Sequence, residues 1–467
     1  MVDGLCFSAP GKAMFAGGYL VLYEENPSFV TALSARIYTL TKAIVSDAPF
    51  PEVIVKSPQF LEGEWVYRLD QSKDSQFIRP IPVALDRKNP FVYSAIGVVL
   101  NYLGGSRALH STLRSLEIMV LSDNAYHSQP SDSAPRFNSH SKRIVEVPKT
   151  GLGSSAALTT SICAALLSFY SNEAIDFKTD ESKEFLHKIA QTAHCTAQGK
   201  VGSGFDVACA VFGSTVYHRF SPSLITQIPS LPELGASLAD QENYLSILGD
   251  TIDCDWKASH LPCTIPPRLR LLMGDVAGGS ETPAMVQLVQ KWLKGGGQEA
   301  EETWKSLGRA NRSLIECLRE LDQQAIRNPA KYDLFIDLIV RRNAGGTEIC
   351  KLGSENGEIG NLFADLIRSI DDIRSNLQHM SAGSGAQIEP ETQTELLDAC
   401  KAVGGVLGGV VPGAGGYDAI CLIVVEALAE NVRGQTLGPF ERVKWLDLRE
   451  EPVGVREEDY SKVAAYL

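Results

Sequence analysis

Apolar positions in the first 120 residues recur with the short period of strands and are broken by turn-forming residues. Residues 5–8 read as a strand entering a Pro10-Gly11 turn, and residues 13–23 and 37–45 as two more. Residues 53–56, 65–69 and 116–121 have the same β-branched and aromatic content. Residues 91–103 instead show helical spacing and stop at Gly104-Gly105. Residues 122–141 are Ser, Pro, Asn, Asp and His with almost nothing to bury, which predicts a disordered surface insertion.

Further on, residues 154–169 and 181–198 read as helices and 214–218 as a strand. Residues 221–267 hold many prolines and no clear period. The main boundary is placed there, dividing the chain into domains 1–225 and 226–467. A strand at 269–276, a helix at 281–293 and a triple-glycine break at 295–297 follow. Helices dominate residues 299–403, and two buried strands, 406–411 and 417–425, flank Pro412-Gly413-Ala414-Gly415-Gly416. Mixed strands and helices in both halves, with no internal repeat, predict an α+β two-domain protein.

Composition narrows the function. The 467 residues are 44% hydrophobic and have a net charge of −13, which argues against nucleic acid as a partner but not against a small phosphorylated ligand. No apolar run approaches the roughly 18 residues of a membrane span. The amino-terminal residues have no secretory pattern, so a cytoplasmic location is expected. Ten cysteines form no Cys-x-x-Cys pair and read as small buried hydrophobes. No obligate protein partner is indicated.

Three glycine-rich stretches carry the chemistry: Pro10-Gly11-Lys12, residues 147–157, and residues 413–418. The middle one reads Val-Pro-Lys-Thr-Gly-Leu-Gly-Ser-Ser-Ala-Ala. A helix starting near Ser154 leaves backbone N–H groups unpaired, its dipole is positive there, and glycines let an anion approach closely. Together these make an anion cradle. A serine there can cap the helix or ligate Mg²⁺. A plain turn and a Rossmann fingerprint are the competing readings. The second lacks the strand that should precede its acidic residue, and the Walker pattern G-x-x-x-x-G-K-[ST] is absent.

Pro148 with Gly151-Leu152-Gly153-Ser154-Ser155-Ala156-Ala157 resembles the second motif of the GHMP kinases. Ser8-Ala9-Pro10-Gly11-Lys12 resembles their first, and Gly413-Ala414-Gly415-Gly416-Tyr417-Asp418-Ala419 their third. Where most of that superfamily carries Gly-Glu-His, this chain has Gly17-Gly18-Tyr19-Leu20-Val21-Leu22. That variant is similar to the eukaryotic-type phosphomevalonate kinase branch. So are residues 197–208, Gly279-Ser280-Glu281-Thr282-Pro283, and Ile388-Glu389-Pro390 with Gln393-Thr394.

The resemblance implies an N-terminal mixed sheet with helices and a C-terminal ferredoxin-like domain with extra helices. It implies transfer of the γ-phosphoryl of ATP, with Mg²⁺, to 5-phosphomevalonate. The competing functions are mevalonate kinase and a non-catalytic ATP- and ligand-binding regulator. It further implies that Lys12, Asp206 and Lys149 are catalytic, and that Pro148 and residues 151–157 bind ATP. Ser155, with Ser154 as the alternative, would hold the metal. Lys200, Ser203, Gly204, Gly413, Ala414, Gly415, Gly416 and Arg374 would meet the substrate. Where mevalonate kinases place a metal-binding glutamate, eleven residues before the aspartate, this chain has Cys195, a poor Mg²⁺ ligand. His187 and His194, seven apart on one helix, are assigned no catalytic role.

Overall fold

A computed structural model describes residues 4–46, 48–72, 74–84, 87–110, 112–127, 136–276 and 282–467. Its first sheet is built from β1 (Leu5–Ala16), β2 (Ser28–Ile44), β3 (Glu52–Lys56), β4 (Glu64–Gln71), β5 (Ile78–Pro82) and β6 (Ser115–Ser122). These run in the order β1-β2-β6-β3-β4-β5, all antiparallel except for the parallel β3–β6 pair. The long β2 also pairs through its first residues with β7 (Thr215–His218), which pairs in turn with β8 (Ser259–Pro262).

Three helices lie against this sheet, α1 (Pro90–Gly105), α2 (Ser154–Tyr170) and α4 (Phe205–Phe212), and a fourth, α3 (Asp180–Gln198), packs on all three. α2 contacts β1, β2 and the other three helices, so it is enclosed on nearly all sides. Its sequence is correspondingly Ala, Ser, Thr and Leu all round, with no polar stripe.

Several strand readings change. Pro10-Gly11 is not a turn: β1 runs through it, with a register shift between Pro10 and Lys12. The strand predicted for 13–23 ends at Ala16, and Gly18–Leu22 forms a 3-10 turn. Within the expected insertion at 122–141, residues 128–135 lie outside the described residues, and the flanks are ordered. Asp123 is buried, accepts from Arg36 N at 2.8 Å and pairs with Arg136 Nε at 2.6 Å; Tyr126 is fully buried. β5 is held through the buried Asn101, whose side chain bonds both Ile78 N and Ile78 O.

Residues 221–267 contribute a helix, Leu238–Asp253, packed on α1, and the strand β8. The second sheet begins at β9 (Leu269–Val276) and adds β10 (Val406–Val410), β11 (Ala419–Val425) and β12 (Val443–Leu446). The order β10-β11-β9-β12, antiparallel throughout, is the strand arrangement of a ferredoxin-like βαββαβ unit. Between β9 and β10 stand the extra helices, chiefly Gly297–Arg327 packed along Gly357–Ser384. The fold class is therefore the α+β arrangement the resemblance implies. The chain ends by returning to the first sheet, where β13 (Arg456–Glu457) pairs with β1. One apolar core runs from Phe7 and Leu33 through α2 to Leu314, Phe363 and Val455.

Glu450 lies on this returning strap. Its Oε2 accepts from Ile265 N at 2.9 Å, and burial pushes its carboxyl up to about 7. The native state therefore keeps a proton that the unfolded chain releases near pH 4.3. The stability this contributes is complete below the unfolded value and is lost as pH rises through about 7. Glu450→Gln is expected to raise the thermal midpoint relative to wild type at about pH 8 and to leave it nearly unchanged at about pH 4. Equal midpoint shifts at both pH values would contradict this assignment.

Candidate active site

β1 and the glycine loop are joined at one residue. The backbone N–H of Lys12 donates to Leu152 O at 2.9 Å, and its Nζ donates to Gly151 O at 2.9 Å. The lysine stem runs beneath Gly153, which has φ +77°; a Cβ there would stand 3.1 Å from both Cγ and Cε of Lys12. Gly153 is thus required both by its left-handed backbone and by this approach. Lys12 Nζ lies 5.6 Å from the centroid of the Phe205 ring. Burial lowers the Lys12 pKa below that of an ordinary lysine, while the negative charge of Asp206 raises it.

α2 begins at Gly153 with no side-chain cap and no acidic residue in its first turn. Its first amides therefore face the loop unpaired, with the positive end of the helix dipole behind them. Ser155 does not cap the helix. Its Oγ lies 3.1 Å from Nε2 of His194 on α3. The same nitrogen is 3.3 Å from Gln198 Nε2 and 3.9 Å from Asp206 Oδ2. Asp206 stands in the first turn of α4, where its Oδ1 accepts from Val207 N at 3.0 Å. Three helices thus bring Ser155, His194 and Asp206 together beside Lys12. His194, given no catalytic role from the sequence, is placed by the structure against the Ser155 hydroxyl. On a helix one position is a rotation of about 100°, so Cys195 faces elsewhere: Gln191 Nε2 lies 3.1 Å from its sulfur.

The loop preceding α4 is also fixed. Tyr217 OH donates to Ser203 O at 3.1 Å, and the buried Arg219 donates to Gly202 O at 2.7 Å and Leu22 O at 2.6 Å. Gly204 is the N-cap of α4. Lys200 is exposed just after the end of α3 and does not line the cleft described below. Pro148 and Lys149 are exposed on the glycine loop, and Lys149 pairs through its backbone with His127. Partial burial lowers the Lys149 pKa although the residue reaches solvent, and no carboxylate contributes to the shift. Ala156 and Ala157 are buried under the loop, and Ser154 is partly exposed at the helix start.

Between this cluster and the second sheet lies a cleft of about 250 Å³, lined by Lys12, Tyr19, Gly151, Ser203, Phe205 and the 413–415 turn among others. It presents to a ligand a lysine, glycine backbone and the Gly151 end of the loop that leads into α2, with Asp418 as a carboxylate in its lining.

Comparison with known proteins identifies the family. Residues 125–214 match the family model described as "GHMP kinases N terminal domain". The chain is 39% identical to the phosphomevalonate kinase of Candida albicans, covering 97% of each chain. It is 36% identical to that of Gibberella zeae, covering 99% of this chain and 98% of the relative. A Streptococcus pneumoniae phosphomevalonate kinase, solved with phosphomevalonate and AMPPNP, superposes with a TM-score of 0.59 at 16% identity, over 95% of this chain and 99% of that one. The chain belongs to the phosphomevalonate kinases, within the GHMP kinase superfamily.

In this phosphomevalonate kinase family member, the third glycine stretch is held from two sides. From the first sheet, Tyr19 OH donates to Ala414 O at 2.7 Å, and Met14 O accepts from Gly413 N at 3.4 Å. From the helices, Ile388 O accepts from Gly416 N at 2.9 Å, and Gln393 Nε2 donates to Tyr417 O at 2.9 Å. At Gly415, with φ +85°, a Cβ would stand 2.2 Å from Ile388 O, so no other residue fits.

Arg374 is not free to meet a ligand, contrary to the expectation from sequence. Its NH2 donates to Glu389 Oε1 at 2.7 Å and its NH1 to Asp398 Oδ1 at 2.7 Å, with Glu389 fully buried. A guanidinium with two carboxylate partners is already neutralised. It anchors the 388–390 segment against which the glycine turn rests.

Tyr19→Phe removes one hydrogen bond, worth about 1 kcal/mol, between the 3-10 turn and the glycine turn. Steady-state kinetics are expected to show a several-fold rise in KM for the phosphorylated acceptor, with the thermal midpoint nearly unchanged. An unaltered KM would mean that the turn is held without Tyr19.

Proposed function

We propose that the γ-phosphoryl of ATP passes to the phosphate of (R)-5-phosphomevalonate within this cleft, giving (R)-5-diphosphomevalonate and ADP. What carries the residue assignment is the double attachment of Lys12 to the glycine loop, which sets an ammonium beside the helix N-terminus and beside Asp206.

The acceptor decides what the protein must supply. A phosphate monoester has a second pKa of about 6 and is mostly dianionic at neutral pH. Its attacking oxygen is already ionised, so no strong general base is needed. The obstacle is the approach of two polyanions, and phosphoryl transfer depends mainly on positioning and charge neutralisation. Lys12 would contact the transferring group. Lys149 on the loop and Lys200 after the end of α3, both exposed and outside the cleft lining, would add positive charge around the cleft rather than within it. Asp206 would orient the Lys12 ammonium and keep it protonated, the direction of its effect on that lysine. Residues 151–157 would cradle the ATP phosphates, and Ser203, Gly204 and the 413–416 turn would line the acceptor's side.

The donor set fits Mg²⁺ only in part. The Ser155 hydroxyl is a suitable hard ligand, but the described residues contain no group of three His, Cys, Asp or Glu able to enclose a metal. Mg²⁺ would therefore be held by Ser155, the nucleotide phosphates and water. Bound there, it supplies further neutralisation of phosphate charge.

Purified protein with Mg-ATP is expected to release ADP with 5-phosphomevalonate and not with mevalonate; the reverse preference would overturn the reading. Lys12→Met should lower kcat by about 10²–10³-fold, the usual loss on removing one charge-stabilising donor. Asp206→Asn should cost only about tenfold, because loss of a true general base costs about 10²–10⁴-fold. A loss in that larger range would show that Asp206 accepts a proton in the reaction.

A further inference from the structure

We infer that His194 is a positioning residue that sets the direction of the Ser155 hydroxyl, turning its lone pairs toward the phosphate cradle. The inference rests on reading Ser155 as the protein's ligand on the metal side of the nucleotide phosphates. His194 has none of the sequence marks of the three glycine motifs, yet it is the side chain that Ser155 meets.

The argument starts from what a single imidazole nitrogen can do. Nε2 has one in-plane position, which either carries a proton or accepts one. Around it stand the Ser155 hydroxyl at 3.1 Å, the Gln198 amide nitrogen at 3.3 Å and Asp206 Oδ2 at 3.9 Å. A bare Nε2 has one lone pair and accepts from one donor; the Ser155 hydroxyl at 3.1 Å is nearer than the Gln198 amide nitrogen at 3.3 Å, and the exposed Gln198 can bond elsewhere. Ser155 then donates its O–H to His194. A hydroxyl has one proton, and once that points at α3, both lone pairs of the oxygen point away from the ring. That leaves the oxygen able to serve a cation or accept a hydrogen bond at the α2 N-terminus. Without His194, the hydroxyl would be free to turn its proton into the helix backbone, the competing bond open to any serine in a first turn.

The ring itself is held in place. It is buried, and it stacks on Phe91 of α1 with centroids 5.6 Å apart and planes at 29°. The same ring nitrogen lies 3.1 Å from the Ser155 hydroxyl and 3.9 Å from the Asp206 carboxylate, the group whose charge favours the protonated Lys12.

The test uses two substitutions that differ in where they put a polar atom. Gln places its amide near the position of Nε2 and can still accept from Ser155; Asn reaches only to the level of Nδ1. Full-length protein is titrated with ADP in the presence of Mn²⁺ and, separately, in the presence of EDTA, and binding is followed by calorimetry. Ser155→Ala is expected to weaken Mn²⁺-ADP binding about tenfold and leave metal-free ADP unchanged. H194N is expected to do the same, H194Q to stay within about twofold of wild type, and S155A/H194N to be no weaker than S155A alone.

If S155A leaves metal dependence unaltered, the reading of Ser155 itself is wrong. If S155A removes it while H194N does not, only the role of His194 is overturned. H194N weakening both titrations equally would also overturn it, since that is what a packing role alone predicts. Should H194N be too unstable to purify, H194Q decides: a folded H194Q that has lost the metal preference refutes the proposal, and one that keeps it, with S155A sensitive, supports it.

Discussion

Everything at this site depends on Lys12 being stitched to the glycine loop by both its backbone and its side chain. A lysine normally has the freest side chain in a protein, with about 2 kcal/mol of rotamer entropy. Here the stem is covered by Gly153, the tip is bonded to Gly151 O, and a phenyl ring lies below. The register shift in β1 accompanies this attachment, because the Lys12 N–H points at Leu152 rather than only along the strand ladder. The residues of β2 opposite the shift are joined instead by the returning strap, through Ser34 N to Arg449 O at 2.8 Å and Glu451 N to Ala32 O at 2.9 Å. An irregularity that looks like a defect in the sheet is what connects two motifs 140 residues apart.

The electrostatics follow from that rigidity. At an effective dielectric of 20, two unit charges 4 Å apart repel or attract by about 4 kcal/mol. Two phosphates meeting with several such pairs cannot approach unless cations are already in place. The chain as a whole is acidic, at −13, so these cations are local. Burial lowers the pKa of Lys12, whose amino group is enclosed by the glycine loop, and the lesser burial of the exposed Lys149 acts in the same direction. An incoming phosphate restores the favourable environment for the proton, so anion binding and retention of the positive charge reinforce each other.

How much of this could be read in the sequence depends on the range of each interaction. The glycine motifs act through their own backbone, and their chemistry is legible in order and spacing. The roles of Tyr19, His194 and Arg219 are set by partners 395, 39 and 197 residues away, and no local pattern marks them. Arg374 illustrates the opposite error. An arginine looks available until Glu389 and Asp398 are found against it. Pro10-Gly11 has the composition of a turn, but pairing with β2 on both sides overrides that preference. The polar stretch at 122–141 was judged by composition, which cannot show that Asp123 buries its carboxylate to receive Arg36 N and Arg136. β5 is not marked in the sequence because it carries prolines, a feature of edge strands; it pairs with β4 on one side, and Asn101 holds Ile78 at its start.

The two halves are not independent units joined at a cleft. Asn311, on the long helix of the second half, accepts from Gly17 N at 3.3 Å, and Trp304 packs edge-on against Tyr23 at 5.2 Å. That helix thereby grips both ends of the 3-10 turn, and the hydroxyl of Tyr19 in the middle of the turn grips the 413–416 loop. The Arg374–Glu389 pair fixes the other side of the same loop through Ile388. A buried ion pair adds little net stability but becomes costly when one partner is removed, so it defines one position more than it strengthens it. The second half therefore shapes the cleft largely through the placement of the 413–416 backbone, with Asp418 beside it in the lining. Its contribution is the placement of backbone, and the residues that achieve it lie well outside the motifs by which this family is known.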